Sequence, residues 1–137
     1  QRNSELLRGL GARAPRRRVE DVAAFLVELL RIDFADAERA FLAEYELILY
    51  AGRHPALAAL LVEWDAMMTG ELAHPLAALG IAQPTATART LVEMLRGFQL
   101  INLGRTLAEI KEPLADFGRR VVAVLKGKNH GKSPAPR

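Results

Sequence analysis

Ala86-Thr-Ala-Arg-Thr-Leu-Val-Glu-Met-Leu-Arg-Gly-Phe-Gln-Leu-Ile-Asn-Leu103 is the stretch that decides the fold. Leu91, Val92, Met94, Leu95, Phe98, Leu100, Ile101 and Leu103 fall on every side of a helix, and nothing in the run alternates as a strand would. A helix apolar all round is covered from more than one direction. One arc, Leu91, Leu95 and Phe98, is expected to face an interior pocket, which leaves Val92, Gln99 and Leu103 for a partner. Gly97 interrupts the helix at a cost of about 1 kcal/mol relative to alanine, a penalty tolerated where another backbone comes close.

Working outward, glycine and proline punctuate segments rich in Ala, Leu, Glu and Arg, the strong helix formers. Residues 4–10 read as a helix stub and 12–18 as a loop. Val22, Phe25, Leu26, Leu29 and Leu30 predict a helix over 19–32, with Glu20 and Asp21 favouring its N-terminal dipole. Asp33 or Asp36 is expected to cap the next helix, which buries Phe41, Leu42, Tyr45, Ile48 and Leu49 and closes at Gly52. A third helix starts at Pro55 and carries Leu57, Leu60, Leu61, Trp64, Met67, Met68 and Leu72, with a kink predicted between 70 and 75 because Pro75 lacks an N–H. Gln83 to Thr85 form a loop and cap. The last helix opens at Pro113 and ends at Gly127. The pattern is all-α, an antiparallel helical bundle, with 1–18 as the end of a linker helix and a basic loop, 19–126 as the folded domain and 127–137 as a mobile basic tail.

The 137 residues make one domain, 50% hydrophobic, 6% aromatic and without a membrane-length apolar run. No cysteine is present, which excludes disulfides, thiolate metal sites and cysteine nucleophiles, and fits a reducing, cytoplasmic interior. The net charge of +3 is unevenly placed. Residues 1–18 carry +5 and 126–137 carry +4, whereas 19–125 hold nine basic against fifteen acidic side chains, a net of −6. A phosphate groove needs positive charge on the folded surface, so the body does not read as a nucleic-acid binder.

Three strings resemble chemistry. Gly127-Lys-Asn-His-Gly-Lys-Ser133 approaches a phosphate-binding loop, but its glycines are one residue too close and Pro134 stops any following helix. Glu71 and His74 are half of a di-metal bundle motif, yet neither His54 nor His130 has Glu three residues before it, so no metal is expected. Only Ser4 and Ser133 exist, both near the ends, which removes a serine triad. No cofactor is expected either. The remaining signal is an excess of apolar helix faces, more than five helices in one layer need to cover.

Ala43-Glu-Tyr-Glu-Leu-Ile-Leu-Tyr-Ala-Gly-Arg-His-Pro-Ala-Leu57, then Gly80, then Ala88-Arg-Thr-Leu-Val-Glu-Met-Leu-Arg-Gly-Phe-Gln-Leu100 resemble the C-terminal domain of tetracycline-repressor-like transcriptional regulators. The resemblance spans about 19–126. It implies a ligand-binding and dimerisation domain of a repressor, two of whose helices join a partner's pair in a four-helix bundle. DNA would be read by an N-terminal helix-turn-helix outside this chain, with Gln1 near the end of the linker helix that follows it.

Together these give a soluble, non-enzymatic homodimer sensing a small hydrophobic or aromatic effector. The alternatives are a ligand-free dimerisation or scaffold module and a helical-bundle enzyme. The expected pocket gathers Phe25, Leu29, Phe41, Tyr45, Trp64, Met67, Met68, Glu71, Phe98 and Asn102 from four successive helices, with Tyr45, Glu71 and Asn102 as its polar groups. The expected dimer surface combines Val92, Gly97, Gln99 and Leu103 with the stripe Leu114, Phe117, Val121, Val124 and Leu125. A carboxylate at Val121 is accordingly expected to give monomer or aggregate.

Overall fold

A computed structural model describes residues 18–36, 39 and 41–129. The expectations for the helix stub, the basic loop and the last eight residues lie outside the described residues. The described residues form five helices: α1 (Val19–Ala35), α2 (Phe41–Ala51), α3 (Pro55–Ala78), α4 (Pro84–Ile101) and α5 (Lys111–Asn129). No strand occurs among the described residues, and none of the described helices is long and apolar enough to cross a membrane.

Each helix start has a local cause. Ahead of α1 the Arg18 N–H donates to Asp21 Oδ2 (3.0 Å), which satisfies one of the amides a helix N-terminus exposes. Pro55 and Pro84 open α3 and α4, where a missing N–H costs nothing. Before α5, Thr106 and Glu109 cap each other: the Thr106 hydroxyl and N–H both donate to Glu109 Oε1 (2.9 and 3.2 Å), and the Glu109 N–H donates back to the hydroxyl (3.3 Å). Gly80 ends α3 with φ +77°, the left-handed conformation that favours glycine.

Packing follows from α1, the most two-sided of the five. Its buried residues, Val19, Val22, Ala23, Phe25, Leu26, Leu29, Leu30 and Phe34, cover more than one stripe. One stripe meets α5, where Ile110 just ahead of the helix and Leu114, Phe117, Val121 and Leu125 within it recur every three or four residues and are all buried. Gly118 permits close approach of the two helices, since a Cβ there would lie 3.1 Å from Val27 Cγ2. Lys126 and Glu20 pair across their ends at 3.4 Å. The other close pairing is α3 with α4; α2 leans on α3, and α1 also reaches α4.

A chain of aromatic rings ties four helices together. Tyr45 and Phe41 of α2 lie 6.4 Å apart, Phe41 is 5.3 Å from Phe34 of α1, Phe34 is 5.9 Å from Phe98 of α4, and Phe98 is 5.4 Å from Phe117 of α5. Such tilted and edge-on pairs add roughly 0.5–1.5 kcal/mol each beyond burial.

Several boundaries and faces differ from the sequence reading. The first helix continues through Asp33 to Ala35, so Asp33 is a helical residue rather than a cap. The third is continuous through Gly70 and Pro75, the fourth begins two residues earlier at Pro84, and the last continues past Gly127 to Asn129. Leu49, expected inside, is 76% exposed. The α5 stripe expected at a dimer surface lies instead in the chain's own core: Val121 and Leu125 are fully buried against α1, with Leu114 and Phe117 beside them. The periodicity shows that this face is covered but not by what, and a helix of the same chain covers it.

Candidate functional site

Two hollows flank α4. The first lies inside, between α1, α3 and α4, where Leu26, Leu29, Asp33, Met68, Leu72, Leu91, Val92 and Leu95 enclose a cavity of about 30 Å³. That is room for about one water, in walls that are apolar except for one carboxylate. Leu26, Leu29 and Asp33 project together because they are spaced by three and four residues on α1. The second hollow is a groove of about 460 Å³ between α4 and α5, bordered by Met94, Gly97, Phe98, Ile101, Asn102, Arg105, Pro113, Asp116, Phe117 and Arg120. Its rim mixes an 81% exposed Ile101 with Asp116, which pairs with Arg119 and Arg120 at 3.5 and 3.3 Å.

A buried polar relay connects the cavity wall to α2 and α4. The Tyr45 hydroxyl donates to Gln99 Oε1 at 2.5 Å and lies 3.2 Å from the Arg96 carbonyl. The Gln99 amide in turn donates through Nε2 to Asp33 Oδ2 at 2.8 Å. Burial pushes the Tyr45 hydroxyl up to about 12, against the opposing pull of Arg96. Burial also raises Glu44, with Arg96 again opposing. The Arg96 guanidinium stands 5.4 Å from the centre of the Trp64 ring and 3.9 Å from Asp65. The Trp64 indole N–H and the Thr69 hydroxyl are buried with no acceptor among the described residues.

The ten residues expected around one pocket are spread over five environments. Leu29 and Met68 line the inner cavity, joined by Leu91 and Leu95 of the inward arc, and Phe98 and Asn102 border the outer groove. Phe25 and Phe41 fill the core, and Tyr45 belongs to the relay. Trp64 and Glu71 are half-buried on α3, and Met67 is exposed. Asn102 satisfies itself, donating to the Phe98 carbonyl at 2.9 Å. Of the expected dimer residues, Gly97 and Phe117 border the groove, Val92 lines the cavity, Gln99 sits in the relay, and Leu103 and Val124 pack partly buried against the core. The face of α4 that remains open carries Gly97, Leu100 and Ile101; a Cβ on Gly97 would meet nothing within 4 Å.

Sequence reasoning missed Asp33 as a cavity residue and Arg105, Asp116 and Arg120 as groove residues. For Asp33 the signal was present, seven residues after Leu26 and four after Leu29, but a carboxylate near a helix end reads first as a cap. No group of three or more metal-binding side chains occurs among the described residues.

A family model described as "Tetracyclin repressor-like, C-terminal domain" matches residues 17–127. The chain belongs to this family. The matched span takes in all five helices to within two residues of the end of α5, so both hollows and the relay lie inside it. Comparison with curated proteins and with solved structures returned no match. The tetracycline repressor-like domains belong to regulators, which are not enzymes, and they typically homodimerise and bind small-molecule effectors.

Proposed function

We propose that this chain is the effector-sensing and dimerising part of a tetracycline-repressor-like transcriptional repressor, with its DNA-reading unit outside the chain. The observation that carries the reading is the double use of α4. Its inner face, Leu91, Val92 and Leu95, walls the apolar cavity, while its outer edge, Met94, Gly97 and Ile101, borders the groove and stays open. A ligand that displaces the inner face therefore acts on the same rigid element that a second subunit would grip. It biases the assembly by its differential affinity for the two positions of α4.

The ligand site is the inner cavity, and the ligand class is a small hydrophobic or aromatic molecule. At about 30 Å³ the cavity is far below the ~300 Å³ a drug-sized ligand needs, so entry displaces side chains. Met68, with three rotatable bonds, is the readiest to move. The dimer surface is the open edge of α4 together with the outer side of α5, from Gly97, Leu100 and Ile101 across to Pro113, Asp116 and Arg120. Two such edges about a two-fold axis make a self-complementary four-helix contact.

The test is a pair of measurements. Sedimentation of wild type at tens of micromolar should give a dimer, and Ile101→Asp, which alters a side chain outside the core, should give a folded monomer. A wild-type monomer, or an Ile101→Asp dimer, refutes the surface. Titration with small aromatic and aliphatic compounds should raise the melting temperature and shift Trp64 fluorescence. A protein that dimerises but responds to none of them is the ligand-free module.

A further inference from the structure

We infer that the effector carries a carbonyl oxygen on its apolar body, and that the indole N–H of Trp64 is the donor that recognises it. This rests on the proposal that the inner cavity is the effector site. Met68 and Leu72 give the cavity its α3 wall, and Leu91 and Leu95 are part of its α4 wall. Trp64 stands four residues before Met68, so it continues the same helical stripe by one turn. Its neighbour on α4 is Arg96, the residue after Leu95, whose guanidinium lies 5.4 Å from the centre of the indole ring. The two walls of the cavity therefore run on into the pair of Trp64 and Arg96.

That end is the one that can open. A cavity of about 30 Å³ must grow to admit an effector. Toward the C-terminal end of α3 the stripe continues to Leu76, which is fully buried. Toward the N-terminal end it reaches Trp64, half-buried in the part of α3 that contributes no residue to the core. The Trp64 Nε1–H is nonetheless buried and has no acceptor among the described residues. A buried donor in this state carries the full cost of its lost hydration, and an acceptor that arrives with a ligand removes that cost. A carbonyl oxygen meets the need without bringing a donor of its own to be satisfied, which a hydroxyl would. The Arg96 guanidinium is already engaged by Asp65 at 3.9 Å, by the Tyr45 oxygen and by the charge of Glu44, so the recognition belongs to a neutral oxygen rather than to an anion. Asp33, the one polar side chain in the cavity wall, already accepts from Gln99.

The experiment uses benzylacetone, butylbenzene and phenylbutyrate, which share a phenyl ring on a short carbon chain and differ in the oxygen they carry. Calorimetry gives the affinities, methyl chemical shifts of Met68 and Leu72 locate the ligand, and the proton shift of the chain's single indole N–H reports its hydrogen bond. Benzylacetone should move that proton downfield and butylbenzene should not, while both shift the methyls. Trp64→Phe keeps an aromatic ring and removes the donor; it should weaken benzylacetone roughly tenfold and leave butylbenzene within about threefold. An indole proton that moves alike with both ligands, or an equal loss of both in Trp64→Phe, overturns the carbonyl assignment and leaves the cavity standing as an effector site. Tighter binding of phenylbutyrate than of benzylacetone overturns the neutral oxygen. Benzylacetone bound without a shift of any Met68 or Leu72 methyl overturns the inference as well, because the contact then lies elsewhere. If none of the three binds up to its solubility limit, both this inference and the cavity reading fall. Should Trp64→Phe not fold, the indole resonance of the wild type decides alone.

Discussion

Replacing Gly97 by alanine separates what α4 does within one chain from what it does between two. Within the chain, Gly97 is mid-helix and a Cβ there meets nothing within 4 Å, so the substitution gains the helix-propensity difference of about 1 kcal/mol and loses nothing. For a domain of this size that is a rise in melting temperature of roughly 4 °C. Gly70 of α3 has the same open surroundings and is the control. Gly118→Ala should gain less, because the new Cβ stands 3.1 Å from Val27 Cγ2 and one side chain must give way. In a dimer built on the open edge of α4, the added methyl at position 97 instead enters a packed contact, where overpacking costs about 1–3 kcal/mol. Gly97→Ala should therefore stabilise the dilute chain while weakening association by roughly fivefold to a hundredfold, whereas Gly70→Ala stabilises and leaves association unchanged. Thermal melts at low concentration with sedimentation equilibrium over a concentration series read both quantities. If Gly97→Ala dimerises as tightly as wild type, no second backbone approaches Gly97; if it destabilises the dilute chain, the outward orientation of Gly97 is wrong.

Val121→Asp should abolish folding rather than yield a monomer, because Val121 is fully buried against α1; loss of the far-ultraviolet helical signal checks this, and a folded Val121→Asp monomer contradicts the packing described. Tyr45→Phe leaves the buried Gln99 Oε1 without its donor and should cost about 1–3 kcal/mol in urea unfolding. The same tyrosine sets an alkaline limit: its folded pKa of about 12 exceeds the ordinary 10.0, so stability present below pH 10 falls as the pH rises toward about 12, and Tyr45→Phe should lack that part of the loss. Glu44, raised by burial, disfavours the folded state once ionised; Glu44→Gln should raise the melting temperature near neutral pH, and the gain should vanish below the ordinary carboxylate range.

The helices were legible because their signals are local. Glycine and proline mark the breaks, and Leu114, Phe117, Val121 and Leu125 repeat at helical spacing whatever lies opposite. What lies opposite is not local: the same stripe fits a partner subunit or α1, and the apolar residues of α1, spread over more than one side, decide it. Helix α2 shows the same limit. Its sequence is apolar on nearly all sides, yet Leu47, Leu49 and Tyr50 are exposed, since only Phe41, Tyr45 and Ala51 turn fully inward. Of the site, the inward arc of Leu91 and Leu95 and the contribution of Met68 were readable from spacing. Gln99 was not read correctly, because its role depends on a contact with Asp33, 66 residues away on a different helix. Nothing in the period of either helix announces it.

The uneven anchoring of the third helix has a consequence for how unfolding is observed. All the buried residues of α3, Met68, Thr69, Leu72, Ala73 and Leu76, lie in its second half. The turns from Pro55 to Met67 rest on half-buried side chains alone, and Pro75 contributes no N–H to the ladder that would stiffen the whole rod. Amides in the first half should exchange with solvent through small local openings, whereas those of α1 and α5 should exchange only on global unfolding. The single tryptophan sits in the loosely anchored half. Emission from Trp64 therefore reports the detachment of that half, and its transition should precede the loss of helical circular dichroism, so that the two probes of one domain do not coincide.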